Sequence, residues 1–428
     1  MDTRCLSTCK HKSISIKEEL LRFKSVRNII HRINKLTLKK VHNEQIPGKA
    51  KGVDGVTKDE YAKNINYRLE RLIERMKRFR YRPKPVRRTY ILKLNGKRRP
   101  LGILAYEDRL VQGAMALVLT EIYELIFLDC SYGFRPGRGC HDAVKDINQT
   151  IMFDKVNWVL EADIKGFFDH VDHTWMMKFL EHVIKDKAFL RYVGRFLKAG
   201  IMEDGQFRES IEGTPQGGII SPILANVYLH YVLDLWYTYR IKPELKGKSH
   251  YVRYADDFII LFEHEEDARM VMENLKERLG KFSLEVAEDK TRILPFGRQE
   301  GTKETFDFLG FTFYNTKTRK GKYRVGLRTC LKKLKAKMAA VKQWIHQNMH
   351  IEVEELLKSL NLKYKGHCQY YGVNGNFRAL WKFKAYICNI TYKTLRRRSQ
   401  VGKIKWDRFI ELWDQFISKP RIMVNIWY

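Results

Sequence analysis

No apolar run in the 428 residues approaches the length of about 18 that a membrane-crossing helix requires, and Met1-Asp2-Thr3-Arg4 leads into no apolar signal segment. The chain is therefore expected to be soluble and intracellular, with no membrane partner. Cysteine is scarce and scattered, at positions 5, 9, 130, 140, 330, 368 and 388, and an odd number so dispersed argues against a disulfide framework. Only Cys5, Cys9 and His11 cluster; they read as half of a zinc site lacking its second ligand pair, or as ordinary reduced thiols. Internal repeats and low-complexity tracts are also missing. Acid is in short supply: 49 Asp and Glu stand against 81 Lys and Arg, a formal charge of +32. That excess calls for a polyanionic partner, nucleic acid ahead of an anionic membrane surface. At 44% hydrophobic residues the chain can bury a large core, and its length suits two or three domains.

What is present gives the chain its order. Residues 14 to 40 show apolar residues at helical spacing, with a serine ahead of Glu18-Glu19 as a cap. Gly52-Val53-Asp54-Gly55-Val56 is a turn, and a helical stretch follows from Lys58 to about Phe79. Residues 77 to 99 hold eleven Lys or Arg and no acid, and Asn95-Gly96 within them predicts a β-hairpin turn. A hairpin this cationic is expected to face phosphates. An apolar helix over 106 to 129 leads to the loop Ser131-Tyr132-Gly133-Phe134-Arg135-Pro136-Gly137-Arg138, and a further helix to the apolar run Trp158 to Asp163. One helical stretch is expected from Thr174 to about Gly200, a turn at Gly205, and a helix opened by Gly213-Thr214-Pro215-Gln216-Gly217-Gly218 that runs to about Tyr239. That loop is either a plain helix start or a place where backbone N–H groups approach a substrate. A helix over 265 to 281 and strands at 284 to 286, 291 to 296 and 306 to 313 complete this part. From 326 to 428 the chain carries 21 basic and six acidic residues and reads as helices near 330 to 348, 351 to 371, 375 to 397 and 406 to 416. In the third of these, Phe377, Trp381 and Cys388 are expected in the core.

The chemistry centres on Tyr254-Ala255-Asp256-Asp257. Two adjacent acids between apolar and aromatic runs read as strand, turn and strand, and like charges there require cations, most naturally divalent metals. Asp163, at the tip of an apolar strand, is either a cap or a third carboxylate for the same site. Together the three suit two Mg2+ ions and phosphoryl transfer, either forming or cleaving a phosphodiester.

Tyr254-Ala255-Asp256-Asp257, Gly213 to Gly218, Tyr132 to Pro136, Asp163 to Asp169 and Phe308-Leu309-Gly310-Phe311 occur in the order found in group II intron-encoded reverse transcriptases and maturases, which the chain resembles over about 30 to 428. The resemblance implies an α+β class and a right-hand polymerase fold of fingers and palm over 51-325. A basic helical extension would precede it at 1-50, and an α-helical thumb or maturase X domain would follow at 326-428. It implies that Asp163, Asp256 and Asp257 are catalytic metal ligands for two Mg2+, with Mn2+ as a substitute. Phe168 would be the gate against a ribose 2′-OH, Lys93 and Arg99 the triphosphate grip, Gln216 a contact to the incoming nucleotide, and Lys290 a basic residue near the site. Arg135, Arg138, Lys332, Lys333 and Arg396-Arg397-Arg398 are expected to grip nucleic acid. The implied partners are group II intron RNA, an RNA template with DNA primer, dNTPs and target DNA, in the bacterial cytoplasm as a ribonucleoprotein or nucleoid-associated particle.

Relatives that continue into an HNH-type endonuclease carry paired cysteines and histidines there; none follows Lys419-Pro420-Arg421, so no endonuclease activity is expected. Two alternatives stand beside the polymerase: an RNA-binding maturase acting mainly as a splicing cofactor, and a related bacterial reverse transcriptase used in defence or repair.

Overall fold

The computed structural model describes residues 15–92, 98–203, 206–208, 213, 217–298, 302–398 and 404–427; Cys5, Cys9 and His11 lie outside these. Helix starts follow the caps. In α1 (Ile16–Phe23) the Ser15 hydroxyl accepts from Glu18 N while Glu18 accepts from Ser15 N. Lys24 ends it in left-handed backbone, and α2 (Lys35–Glu44) begins at an Asn34 cap, so the helical stretch expected from 14 to 40 is two helices. α3 (Lys58–Ala62), capped by Thr57, and α4 (Ile65–Lys77) divide the next stretch likewise. β1 (Val86–Leu92) and β2 (Arg98–Ile103) form the cationic hairpin, whose Asn95-Gly96 turn lies outside the described residues.

α5 (Tyr106–Tyr123), α6 (Cys140–Phe153) and β3 (Trp158–Asp163) come next. α7 (His173–Val183) and α8 (Lys187–Leu197) replace the single helix expected over 174 to 200, because Asp186 accepts from the N–H groups of Ala188 and Phe189 and starts a new one. After β4 (Ile201–Glu203) and β5 (Gln206–Arg208), α9 (Ser221–Leu229) widens into π-helical turns at His230–Asp234 and Tyr237–Ile241. β6 (Ser249–Tyr254), β7 (Asp257–Phe262), α10 (Glu265–Gly280) and β8 (Arg292–Pro295) follow. The strand expected at 284 to 286 is reduced to one bridge, Val286 with Ile164. β9 (Thr305–Phe308), β10 (Phe311–Lys317) and β11 (Tyr323–Thr329) precede four helices, α11 (Leu331–Gln347), α12 (Val353–Tyr371), α13 (Phe377–Leu395) and α14 (Trp406–Phe416). Among the described residues no helix is long and apolar enough to cross a membrane.

The chain forms two compact units that interleave in sequence. The first, residues 1–129, 165–237 and 278–285, holds a sheet of order β2-β1-β4-β5. The second, residues 130–164, 238–277 and 286–428, holds the sheets β6-β7-β3-β8 and β11-β10-β9. In the second unit, Val159, Val252, Ile259, Leu261 and Leu294 pack with Ala143, Val144 and Ile147 of α6 and with Phe306, Phe311 and Phe313. These strands alternate, so one face of the four-stranded sheet supplies that core.

The helices α11 to α14 have a core of their own, built from residues such as Leu334, Ile345, Leu357, Leu380, Phe383, Ile387 and Trp413. Here the expected core face of α13 is corrected. Phe377 and Trp381 are 43% and 47% exposed, and Cys388 is half-buried. The stripe Leu380, Phe383, Lys384, Ile387, Thr391 and Leu395 is buried instead; Phe377, Trp381 and Cys388, also at helical spacing, lie along its flank, where Cys388 packs against the core and the two rings stay exposed.

His367 of α12 lies in this core with both ring nitrogens unbonded, its ring 4.2 Å from Phe383 and 4.8 Å from Tyr371. Burial, helped by Lys337, lowers its pKa to about 4. The unfolded chain takes up a proton below about pH 6.5 that the fold refuses, so stability present at neutral pH is lost as pH falls from 6.5 towards 4. His367→Phe is expected to remove about 3 kcal/mol of that pH-dependent loss. Urea unfolding of both proteins across this range measures it; parallel curves would overturn the assignment.

Candidate active site

The alternation that buries one face of the second unit's sheet also delivers its acids. β3 and β7 pair antiparallel with Val159 opposite Leu261, Glu161 opposite Ile259 and Asp163 opposite Asp257. The carboxylates of Asp163 and Asp257 therefore lie on the same face as buried Val159 and Leu261, one step beyond the apolar cover. Tyr254 of β6 sits opposite Asp257 from the other side. Like charges directly across a strand pair are destabilising, and the adjacent Asp256 adds a third.

The electrostatics carry that repulsion. Protein crowded around Asp257, and then the charges of Asp256 and Asp163, push its carboxyl up to about 6, while Lys290 and Lys333 pull it down. The Asp257 side chain still reaches solvent at the tip of the hairpin. Lys290 answers Asp163 directly: its ammonium donates to the carboxylate, and this hydrogen bond raises the Lys290 pKa. The backbone fixes Asp163 as well, through Ala287 N–H donating to its carbonyl at 2.8 Å and the Ile164–Val286 bridge beside it.

Among the described residues no three His, Cys, Asp or Glu side chains close into a ready-made metal cage. The three aspartates offer an open oxygen face instead. That donor set fits Mg2+, which takes one or two carboxylates and keeps its other positions for water and substrate phosphate.

The turn that presents Asp256 and Asp257 has only two residues, Ala255 and Asp256, and Ala255 is in left-handed backbone at φ +58°. Glycine usually takes such a position, so an alanine there stores about 1 kcal/mol of strain. The surrounding contacts hold it in place. Arg253, fully buried, donates from Nη1 to the Ala255 carbonyl at 3.0 Å and from Nη2 to Ser131 Oγ at 2.8 Å. Its backbone joins the loop on both sides, donating to the Cys130 carbonyl and accepting from Tyr132 N–H, each at 2.8 Å. Gly133 passes so close that a Cβ there would lie 2.4 Å from Ala255 N. Arg253, Ser131 and Gly133 are the site residues that reading the sequence missed. The visible signal was an arginine inside the otherwise apolar and aromatic strand Tyr251-Val252-Arg253-Tyr254.

Of the residues expected to bind nucleic acid, Arg138 is half-buried with its guanidinium 5.6 Å over the Tyr132 ring. Lys332, Lys333 and Arg396 to Arg398 are exposed. Arg135 is a correction: it is 7% exposed and donates to the Ser131 carbonyl at 2.9 Å, so it braces the loop from within rather than meeting a polymer's phosphates.

Of the expected nucleotide-binding residues, Arg99 and Phe168 belong to the first unit and Lys290, which donates to Asp163, to the second. Lys93 and Gln216 lie outside the described residues, and Arg99 is exposed on β2. Half-buried Phe168 sits in a short 3-10 turn, edge-on to Phe167 at 5.3 Å. Gly213 and Gly217 each pass close to one of these elements. A Cβ on Gly213 (φ +82°) would lie 2.9 Å from the carbonyl oxygens of Phe168 and Asp169, and one on Gly217 (φ +109°) would lie 2.5 Å from the Gly102 carbonyl of β2. His173 Nε2 anchors the loop at the Gly213 carbonyl, 2.7 Å away.

Comparison with known proteins adds to this geometry. Residues 83–313 match the family model described as reverse transcriptase (RNA-dependent DNA polymerase). The group II intron-encoded protein LtrA of Lactococcus lactis subsp. cremoris is 33% identical over 412 residues, covering 77% of this chain and 67% of the relative. Protein YkfC of Escherichia coli K12 is 34% identical over 310 residues, 64% of this chain and 78% of the relative. The mitochondrial nuclear intron maturase 1 of Arabidopsis thaliana is 32% identical over 93 residues, 22% of this chain.

Gly133→Ala is expected to push the Ala255–Asp256 turn out of place and cut nucleotidyl transfer by about 100-fold, since shifts near 1 Å at a reacting centre have that effect. The rest of the sheet should survive, so melting is expected to change little. A variant with unaltered activity would mean that the close approach does not position the turn.

Proposed function

The chain belongs to the reverse transcriptase family, in its group II intron-encoded branch, and from that premise we propose that it copies RNA into DNA by two-metal nucleotidyl transfer and binds intron RNA to assist splicing and mobility. The observation that carries the reading is the cross-strand pair of Asp163 and Asp257 with Asp256 beside it. Asp163, Asp256 and Asp257 would hold two Mg2+ ions, or Mn2+ in their stead, which would supply Lewis-acid stabilisation of the attacking and leaving oxygens. The aspartates provide the oxygen donors, and the Arg253 tie keeps their turn rigid. Lys290 balances the Asp163 charge while the site awaits substrate.

In the first unit, Arg99 and Lys93 grip the triphosphate of a dNTP, and Gln216 lies against the incoming nucleotide. The Phe168 ring fills the space that a ribose 2′-OH would need. In this reading, residues 51-325 are fingers and palm, 326-428 the thumb or X domain, and 1-50 an N-terminal extension. Arg138, Lys332, Lys333 and Arg396 to Arg398 grip phosphates of the RNA template with its DNA primer, of intron RNA and of target DNA, so binding weakens steeply with salt.

Asp256→Asn and Asp257→Asn are each expected to lower primer extension on an RNA template by at least about 1,000-fold, because neutral amides stabilise the metal-borne charge poorly. RNA affinity should stay within about twofold, since neither group meets the polymer's phosphates. Wild-type protein that makes no cDNA while still promoting splicing would sink the polymerase reading. Phe168→Ala is expected to raise ribonucleotide over deoxyribonucleotide incorporation by roughly 10-fold or more, measured with mixed nucleotide pools; unaltered sugar selection would remove Phe168 from that role.

A further inference from the structure

A hollow of about 450 Å³ opens in the first unit beside α4 and the start of α5. None of Asp163, Asp256, Asp257, Lys290, Arg99 and Phe168 lines it. Its walls pair cations with aromatic rings. The Arg68 guanidinium lies 5.1 Å over the Tyr61 ring, and that of Arg71 lies 5.6 Å over Tyr67, whose hydroxyl accepts from Arg71 at 3.2 Å. Tyr61 is buried and Tyr67 is 60% exposed, so only the second ring offers a free face. Arg82 and Lys84, from the acid-free run, complete the lining.

Three acids also line the hollow, and each has a partner inside the fold. Asp54 accepts from Tyr106 N–H at 2.8 Å, and Asp108 accepts from Lys84 N–H at 2.9 Å and from the Tyr81 hydroxyl. Glu107 is ion-paired with Arg75 at 2.5 Å. Among the described residues, no carboxylate forms an ion pair with Arg68, Arg71, Arg82 or Lys84. The hollow therefore presents net positive charge beside an exposed ring, the chemistry that holds a phosphate and stacks a base.

Its surroundings indicate how long the ligand is. A second hollow of about 950 Å³ shares Arg82 with the first and is lined along α8 by Lys187, Arg191 and Arg195 and just past its end by Lys198, with Glu181 as its one acid among the lining residues. A free mononucleotide would fill the first hollow and leave the second unused. A strand would carry its phosphates from one to the other across Arg82.

We infer that this hollow binds an unpaired nucleotide of an RNA strand, with the base on Tyr67, its phosphate between Arg68 and Arg71, and the next phosphates crossing Arg82 towards α8. The choice of RNA rests on the reading of the protein as an RNA-directed polymerase. Unpaired RNA is recognised in this manner, by stacking together with charge.

The test uses the full chain and a short fluorescent single-stranded RNA without dNTPs, followed by anisotropy over a range of salt. Arg68→Ala/Arg71→Ala is expected to weaken binding about tenfold or more and to flatten the log–log salt slope by about 1.4, two lost phosphate contacts. Tyr67→Ala is expected to weaken binding at least about fivefold with the slope unchanged, and Tyr67→Phe to restore it. If the alanine pair unfolds, Arg68→Gln/Arg71→Gln keeps the side-chain bulk and answers the same question. An unchanged affinity and slope in the arginine pair overturns the site, as does competition by free AMP as strong as that by the RNA. Primer extension separates the two readings. Wild type that extends primers while the arginine variants bind as wild type removes this site alone, whereas failed extension with the expected binding losses removes the polymerase and leaves the site.

Discussion

The guanidinium of Arg253 is the contact on which the acidic turn depends. It is fully buried, and it links the carbonyl of strained Ala255 to the hydroxyl of Ser131, 122 residues away in sequence. A buried charge is costly unless its donors are used, so this arginine can persist only where both partners are held to fit it. The requirement works in both directions. The loop at 130 to 133 is fixed by the strand that bears Arg253, and the turn bearing two aspartates is fixed by the loop. Without that tie, the left-handed alanine and the repulsion among three carboxylates would both favour a relaxed turn.

Charge is handled differently a few ångströms of chain further on. Asp163, Asp256 and Asp257 sit close together; Lys290 donates to Asp163, and Lys333 is felt at Asp257 through space. Such a cluster is a poor stabiliser of the fold and a good receiver of divalent charge. The sheet tolerates it because the acids lie at the end of β3 and the start of β7, while Val159, Ile259 and Leu261 on the same face secure the strands.

Much of this was legible in the sequence. The run Trp158 to Asp163 and the acids after Tyr254 announce strands that end in charge, and the alternation around them fixes the face on which the acids lie. The four C-terminal helices were legible because their periodicity is long and uninterrupted. What escaped depends on contacts between distant segments. Nothing local marks Gly133 as the residue that must pass Ala255, and the apolar, aromatic strand around Arg253 marks it as unusual without naming the partners it ties together. Arg135 failed for the same reason, since an arginine in a basic loop looks like a phosphate ligand until its burial is known. In α13 the large rings of Phe377 and Trp381 drew attention away from the steadier stripe of Leu380, Phe383 and Ile387. The breaks at Lys24 and Asp186 were set by one left-handed residue and one capping side chain, features too short for periodicity to register.

The second unit is assembled from three separate stretches of chain, which bears on how it folds. Ile426 is fully buried in the same cluster as Val159 and Ile259, and its carbonyl accepts from Asn148 Nδ2 at 3.3 Å on α6. A ribosome delivers Asp163, Asp256 and Asp257 well before it delivers the residue that completes the core beneath them. Closing such long loops is slow and must wait for the far partner to exist. A partly synthesised chain thus holds all three aspartates before the core that backs their strands is complete.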